Sequence, residues 1–308
     1  MTTIATVPRR RRLRPAVTEA LAGYLFLLPW LIGLTVLTGG PILYSLYLSF
    51  TDYDLLTPPS WTGVDNFEAM AADPRYWNSV RVTLTYVVIF VPLLQIFSML
   101  LALLLNRRMR FSSGYRALFY LPSLMGASVA VAALWRQVFG EAGLVNSALA
   151  AIGIHDVGSW VGDPGRALGT IITLSLWAFG STMIIYLAGL RQIPGELLEA
   201  AEVDGAGRVR RFFSVTVPLM TPLIFFNLLM GTINAFQSFT GAFVISGGGG
   251  GPVDSTLFYT LYLYEKGFRQ LQMGYASAMA WVLLAVLAVI TGVLFLTSRR
   301  WVFYGEES

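Results

Sequence analysis

Few residues in this chain could do chemistry, and most of those lack the partners they would need. The only histidine, His155, stands beside Asp156, and one His with one Asp lacks the remaining ligands of a metal site. There is no cysteine, so neither a thiol nucleophile nor a Cys-based metal site is available. The run Ser246-Gly247-Gly248-Gly249-Gly250-Gly251-Pro252 reads as a flexible turn. It could cradle phosphate only by feeding a helix N-terminus, usually with a lysine. The single lysine, Lys266, lies between Glu265 and Gly267. The chain therefore has no phosphate-binding loop and is not expected to hydrolyse ATP or to be an enzyme. What remains is hydrogen bonding. Asn227, Gly231, Asn234, Gln237, Ser238 and Gly241 fall within an arc of about 120° on one helix. Phe225, Leu229, Ile233 and Phe236 point elsewhere. An uncharged stripe of amides, a hydroxyl and glycines suits a neutral polyol. Small polar residues on a transmembrane helix also mediate helix packing, and both readings stand. Phe239 is off the stripe, at about +120° from Asn227, though nearby aromatic rings could stack on sugar faces. Gln95 and Ser128 are weaker candidates, and Gly126, Ala127, Ser128, Ala130, Ala132 and Ala133 look like a close-packing surface.

The helices that must hold these residues lie in lipid. The chain of 308 residues is 56% hydrophobic and 12% charged, with a mean hydropathy of +0.65; a soluble domain carries about 25% charged residues. Apolar runs at roughly 23–50, 82–105, 117–138, 168–190, 217–246 and 275–298 each exceed the ~20 residues that cross a hydrocarbon core. None contains Asp, Glu or Lys, and Arg136 is the one charge within them. The pattern predicts an all-α membrane protein with six transmembrane helices. The first run, about 28 residues long, exceeds a secretory h-region and ends without a small-x-small cleavage pattern, so it reads as a retained span.

Basic residues set the orientation. Arg9, Arg10, Arg11, Arg12 and Arg14 precede the first run. Arg107, Arg108, Arg110 and Arg116 follow the second, Arg191, Arg208, Arg210 and Arg211 follow the fourth, and Arg299 and Arg300 follow the last. They place both termini in the cytoplasm, and the net charge of +4 is a topology signal rather than a nucleic-acid patch. The organisation expected is a basic cytoplasmic segment 1–22, a six-span domain 23–298 and a cytoplasmic tail 299–308. The external segment 51–81 is acidic and broken by prolines, with a short interfacial helix from Val64 to Ala72. Trp61, Tyr76 and Trp77 suit a headgroup-level position.

The cytoplasmic loop 191–216 is different in kind. Pro194 fixes an N-terminal helical geometry, and Glu196 and Glu199 occupy the first turns, where the helix dipole favours acids. Leu197, Ala200 and Ala201 recur at i, i+3 and i+4, and Gly205 can take the left-handed conformation that ends a helix. A short amphipathic helix held in the cytoplasm by two spans could dock onto a partner or rest on lipid headgroups.

Glu199-Ala200-Ala201, Asp204, Gly205 and Pro218 resemble the coupling loop of bacterial binding-protein-dependent ABC importer permeases, the inner-membrane components of type I importers. Leu48 to Tyr53, Trp61 to Phe67, Ala188-Gly189-Leu190 with Ile193-Pro194, Gly250-Gly251-Pro252 and Gly274 to Met279 are similar to the carbohydrate branch. The resemblance spans roughly 23–298. Val215 and Val217 depart mildly from the usual Ile and Leu. It implies that Glu199, Ala200, Ala201, Asp204, Gly205 and Pro218 form a coupling helix that grips a separate ATPase. It further implies a second, homologous permease as heterodimer partner, two cytoplasmic ATPase subunits, and an extracytoplasmic solute-binding protein that delivers a sugar-like substrate. ATP and Mg would be bound by the ATPase, with no cofactor in this chain. The location implied is the bacterial cytoplasmic (inner) membrane.

Two other classes compete. An ion-coupled secondary transporter normally buries ionisable relays in its spans, and no carboxylate is found in them here. An intramembrane enzyme would need paired acids, a Ser–His pair or a metal cluster at membrane depth, and the runs contain none.

Overall fold

A computed structural model describes residues 15–107, 112–126 and 128–303. Arg9 to Arg14, Arg108, Arg110, Ala127 and residues 304–308 lie outside them. The first apolar run forms α1 (Pro15–Gly33), a π-helical turn over Leu34–Gly39, and α2 (Gly40–Leu48), together one span, Ala22–Leu48. Phe26 and Leu37 on it are 87% and 77% exposed, as lipid-facing side chains are free to be. Beyond it, β1 (Thr51–Asp52) pairs antiparallel with β2 (Ser60–Trp61). The short helix α3 (Asp65–Ala72) starts one residue later than the sequence suggests. Asp73 caps α4 (Pro74–Leu105) by accepting from the Arg75 N–H at 2.9 Å, with Pro74 at a position that needs no donor.

The third run is α5 (Ser112–Met125) and α6 (Val129–Val138), which meet at 104°. A short helix, α7 (Leu144–Ala151), follows. The fourth run is α8 (Ala167–Trp177) and α9 (Gly180–Gln192), bent by 47°. The loop after it holds α10 (Gly195–Val203) and α11 (Arg208–Arg211). A π-helical turn, Phe212–Thr216, leads into α12 (Val217–Phe236), followed by α13 (Thr240–Ile245). The chain ends with α14 (Tyr259–Tyr264), a π-helical turn Glu265–Arg269 and α15 (Met273–Ser298). Four helical runs are long and apolar enough to span by themselves, and the two bent pairs make six.

Three of the six runs are interrupted, where periodicity alone implies straight helices. Gly126 takes φ +58° and closes α5, and the Ser128 hydroxyl accepts from the Val131 N–H to cap α6. At the α8–α9 bend the Phe179 carbonyl accepts from Ser98 Oγ at 3.4 Å. A Cβ on Gly180 would lie 2.6 Å from the Phe119 carbonyl oxygen, so glycine is what admits α5 so close. The fifth run breaks at Gln237–Phe239, where the Ser238 carbonyl accepts from Thr260 Oγ1. At two of the breaks a backbone carbonyl thus accepts from a side-chain hydroxyl, and at the third a hydroxyl caps a backbone N–H.

Buried α4 is the central helix, packed against α9 and α12, with Tyr86, Tyr186, Met183 and Met220 all at most 2% exposed between them. α12 runs antiparallel to α4. Gly231 lies against Val91, Leu94 and Gln95, whereas Asp254, further along the chain, reaches back to Arg75 and Asn78. The loop carrying α10 is therefore at one end of the bundle and β1, β2 and α3 at the other. Two local expectations change. Tyr76, expected at headgroup level, is 6% exposed and edge-on to Tyr259 at 5.7 Å, whereas Trp61 and Trp77 are exposed. The glycine run forms a hydrogen-bonded turn. Gly248 N–H donates to the Phe243 carbonyl at 2.7 Å, Gly250 N–H to Ser246 Oγ at 3.1 Å, and Arg269 Nη1 to the Gly248 carbonyl at 2.8 Å.

Candidate functional site

The three helix breaks converge on one cavity of about 660 Å³, inside the size range of small-molecule sites. α4 contributes Tyr86 and Phe90, the α5–α6 junction Ser128, and the α8–α9 junction Ser175, Trp177, Ser181 and Thr182. The α12–α13 stretch contributes Asn227, Gly231, Asn234, Gln237, Ser238, Phe239 and Gly241. No charged side chain lines it among the described residues. Discontinuous helices are how membrane proteins bring polar backbone and side chains to a mid-membrane site.

All six stripe residues face this cavity, although the fifth run is not the continuous helix assumed for the stripe. Phe239, off the stripe by angle, lines the cavity because the break reorients it. Asn227 is 5% exposed and donates Nδ2–H to the Leu223 carbonyl at 3.1 Å, so one of its two amide hydrogens is spent on its own helix. Asn234 and Gln237 are exposed. Gln95 lies one layer behind Gly231. Its Oε1 accepts from Tyr186 Oη–H, and its Nε2 is buried without a partner. Ser128 lines the cavity as a cap. Ser175, Ser181, Thr182, Tyr86 and Phe90 also line the cavity, outside the stripe expected from periodicity. Ser175 and Thr182 are seven residues apart, close to two turns of an ideal helix, which was the one available signal.

At the end opposite α3, the α10 loop stands clear of the bundle. Glu199, Ala200, Asp204 and Gly205 are exposed and Ala201 is half-buried, while Val203 and Val209 are 87% and 73% exposed. Gly205 takes φ +77°. Its N–H donates to the Glu202 carbonyl at 3.0 Å and that of Ala206 to the Ala201 carbonyl at 2.9 Å, the paired bonds of a Schellman cap. Arg211 pairs with Glu202 across the turn, fixing α10 against α11. Pro218 opens α12, its carbonyl accepting from Thr221 Oγ1 at 2.6 Å. The same hydroxyl accepts from the Phe303 N–H at 2.9 Å, so the tail after α15 is tied to the root of the loop.

Residues 69–302 match the family described as "Binding-protein-dependent transport system inner membrane component". The chain belongs to that family. It is 52% identical over 290 residues to the probable ABC transporter permease protein YesP of Bacillus subtilis (strain 168), covering 94% of each chain. It is 34% identical to the lactose transport system permease protein LacF of Rhizobium radiobacter, covering 90% of this chain and 94% of LacF. Its fold is similar to that of a chain from a bacterial ABC transporter involved in import of the acidic polysaccharide alginate. That likeness has a TM-score of 0.81 at 24% identity and covers 92% of this chain and 97% of the other.

In this inner-membrane component the end of the bundle that carries β1, β2 and α3 is held by a charged network. Arg75 grips Asp254 through Nε and Nη2 at 2.8 and 3.0 Å, and Glu265 through Nη1 and Nη2 at 2.8 and 3.3 Å. Two bidentate pairs on one guanidinium give geometric definition as well as attraction. Asp73 accepts from Tyr275 Oη–H at 3.0 Å and from Tyr262 Oη–H. Partial burial pushes the Asp73 carboxyl up, and the hydrogen bonds from these tyrosines and the Arg75 N–H outweigh it, leaving the group below the usual carboxylate range. His155 and Asp156 line a separate groove of about 340 Å³ with Glu141 and Asn146. The described residues hold no group of three metal-binding side chains.

Proposed function

We propose that this permease forms half of the translocation path of an ATP-driven importer for a neutral sugar or related polyol, working by alternating access. The observation that carries the reading is the cavity lined by amides, hydroxyls and aromatic rings without a charge. Hydroxyl groups are matched by such donors and acceptors, and pyranose faces by rings. A uronate would enter without a cationic partner, and an unpaired charge in such a site is costly. The named transport of lactose by LacF supports the saccharide class. Glu199, Ala200, Ala201, Asp204, Gly205 and Pro218 dock a cytoplasmic ATPase, which binds the ATP and Mg. A second, homologous permease completes the path as a heterodimer, and a solute-binding protein delivers the sugar. Both termini are cytoplasmic. An ion-coupled mechanism finds no ionisable relay on the cavity wall.

The test is uptake by proteoliposomes containing the complex of this chain with its co-expressed partners. Lactose, maltotriose and arabinotriose are offered beside an alginate trisaccharide. Uptake of at least one neutral sugar and exclusion of the uronate is expected; the reverse preference would overturn the neutral assignment. Asn234→Leu, nearly isosteric, should cut uptake about tenfold if one hydrogen bond to the solute is lost, with ATPase association unchanged. Wild-type uptake in this variant would remove Asn234 from the path.

A further inference from the structure

We propose that Phe239, Phe243, Tyr264 and Phe268 form an aromatic track by which sugar rings pass between the outer surface and the cavity. The proposal rests on the sugar reading above. Phe239 is a wall of the cavity. Its ring stacks on Phe243 at 5.2 Å between centroids and meets Tyr264 at 5.4 Å. Tyr264 in turn stacks on Phe268 at 5.3 Å. Four rings from two separate chain segments therefore make one unbroken series, at the spacing of favourable ring–ring contact.

The direction of the series follows from its neighbours. Phe268 lies in the π-helical turn Glu265–Arg269. That turn is fixed on one side by Glu265 bonded to Arg75 and on the other by Arg269 bonded to the Gly248 carbonyl. These are contacts of the outer end, away from the α10 loop. Phe268 is 59% exposed, and Phe239, Phe243 and Tyr264 are each half-buried. None of the four is fully buried, whereas a ring that serves only the core, Phe258, is 1% exposed. A pyranose presents an apolar C–H face that fits against an aromatic ring. A series of such rings offers successive contacts of similar strength, so no single one traps the solute. Uncharged rings also fit a cavity without charges. Tyr264 and Phe268 are four residues apart, the spacing that sets two side chains on one helical face.

The test uses the whole complex in proteoliposomes, with lactose, maltotriose and arabinotriose as probes, and reads sugar imported per ATP hydrolysed. Phe268→Leu and Tyr264→Leu keep apolar bulk and remove the ring. Each should lower the ratio about threefold to tenfold, the worth of one ring contact. Phe268→Tyr should restore it. Leu variants with a wild-type ratio would overturn the track and leave the sugar reading intact. So would an equal loss in Phe268→Tyr, because the effect would then follow packing and not the ring. If the wild-type complex imports none of the three sugars, the sugar reading falls and the track with it.

Discussion

Gly205→Pro is expected to abolish transport while the chain still inserts into the membrane. Two physical effects act together. Proline fixes φ near −65°, and Gly205 stands at +77°. Proline also removes the N–H that donates to the Glu202 carbonyl at 3.0 Å, breaking one of the two bonds that end α10. The site has room, since a Cβ there would meet nothing within 4 Å, so the penalty is one of backbone conformation and not of crowding. On the order of 3 kcal/mol lost from the cap corresponds to about a hundredfold loss of the docking-competent loop. Uptake should then fall to about 1% of wild type. Gly207→Ala is the control. Its backbone, at φ −63°, is ordinary, its Cβ space is also open, and near-normal uptake is expected. Glu199→Lys, which reverses an exposed charge on α10, should impair docking without altering the cap. Full uptake by Gly205→Pro at normal membrane levels would contradict the role given to this loop.

Gly274→Ala is expected to be the most damaging single-methyl change in the fold. A Cβ at this position would lie 2.0 Å from the Thr51 carbonyl oxygen and 3.1 Å from Asn66 Nδ2. Neither can withdraw easily. The Met273 and Gly274 N–H groups donate to the Tyr53 carbonyl at 2.8 and 3.2 Å, and Asn66 Nδ2 donates to the Thr51 carbonyl at 2.8 Å. The start of α15 is thus clamped onto the strand after the first span, and separating them breaks several hydrogen bonds at once. A loss of about 3 kcal/mol is expected, seen as a fall in detergent melting temperature and in membrane yield. Gly292→Ala on the same helix has open space and should be neutral or slightly stabilising, as alanine favours a helix. Equal melting temperatures for the two variants would show that Thr51 does not approach α15 as described.

These two glycines also show what the sequence makes legible. Gly205 was readable because a helix end is a local event: an acid-rich first turn, an alanine face and a glycine at the stop lie within a dozen residues. The six spans were readable because hydrophobic length needs no knowledge of neighbours. The close approach at Gly274 depends on Thr51, more than two hundred positions away, and leaves no local periodicity. The same is true of Gly180 against Phe119, of Tyr76 buried against Tyr259, and of the glycine turn held by Arg269. The cavity was half legible. The stripe from Asn227 to Gly241 was found by angle, yet the angle assumed a helix that breaks at Gln237–Phe239. The break keeps Ser238 and Gly241 on the same wall and brings Phe239 to it. Ser175 and Thr182 share a helical spacing, but Ser181 lies off it and reaches the same wall at the bend between α8 and α9, which no local pattern announces.

This chain is expected to move solute only when a separate ATPase drives it through the α10 loop. The most direct test is to purify the tagged chain from its native host in mild detergent and reconstitute what co-purifies. Uptake is then measured with ATP on the ATPase-bearing side, and again with only a sodium or proton gradient. Recovery of an ATPase and a second membrane-spanning permease, with uptake that requires ATP and is lost in Gly205→Pro, is the result expected. A chain that purifies alone and transports on an ion gradient without ATP would contradict the account.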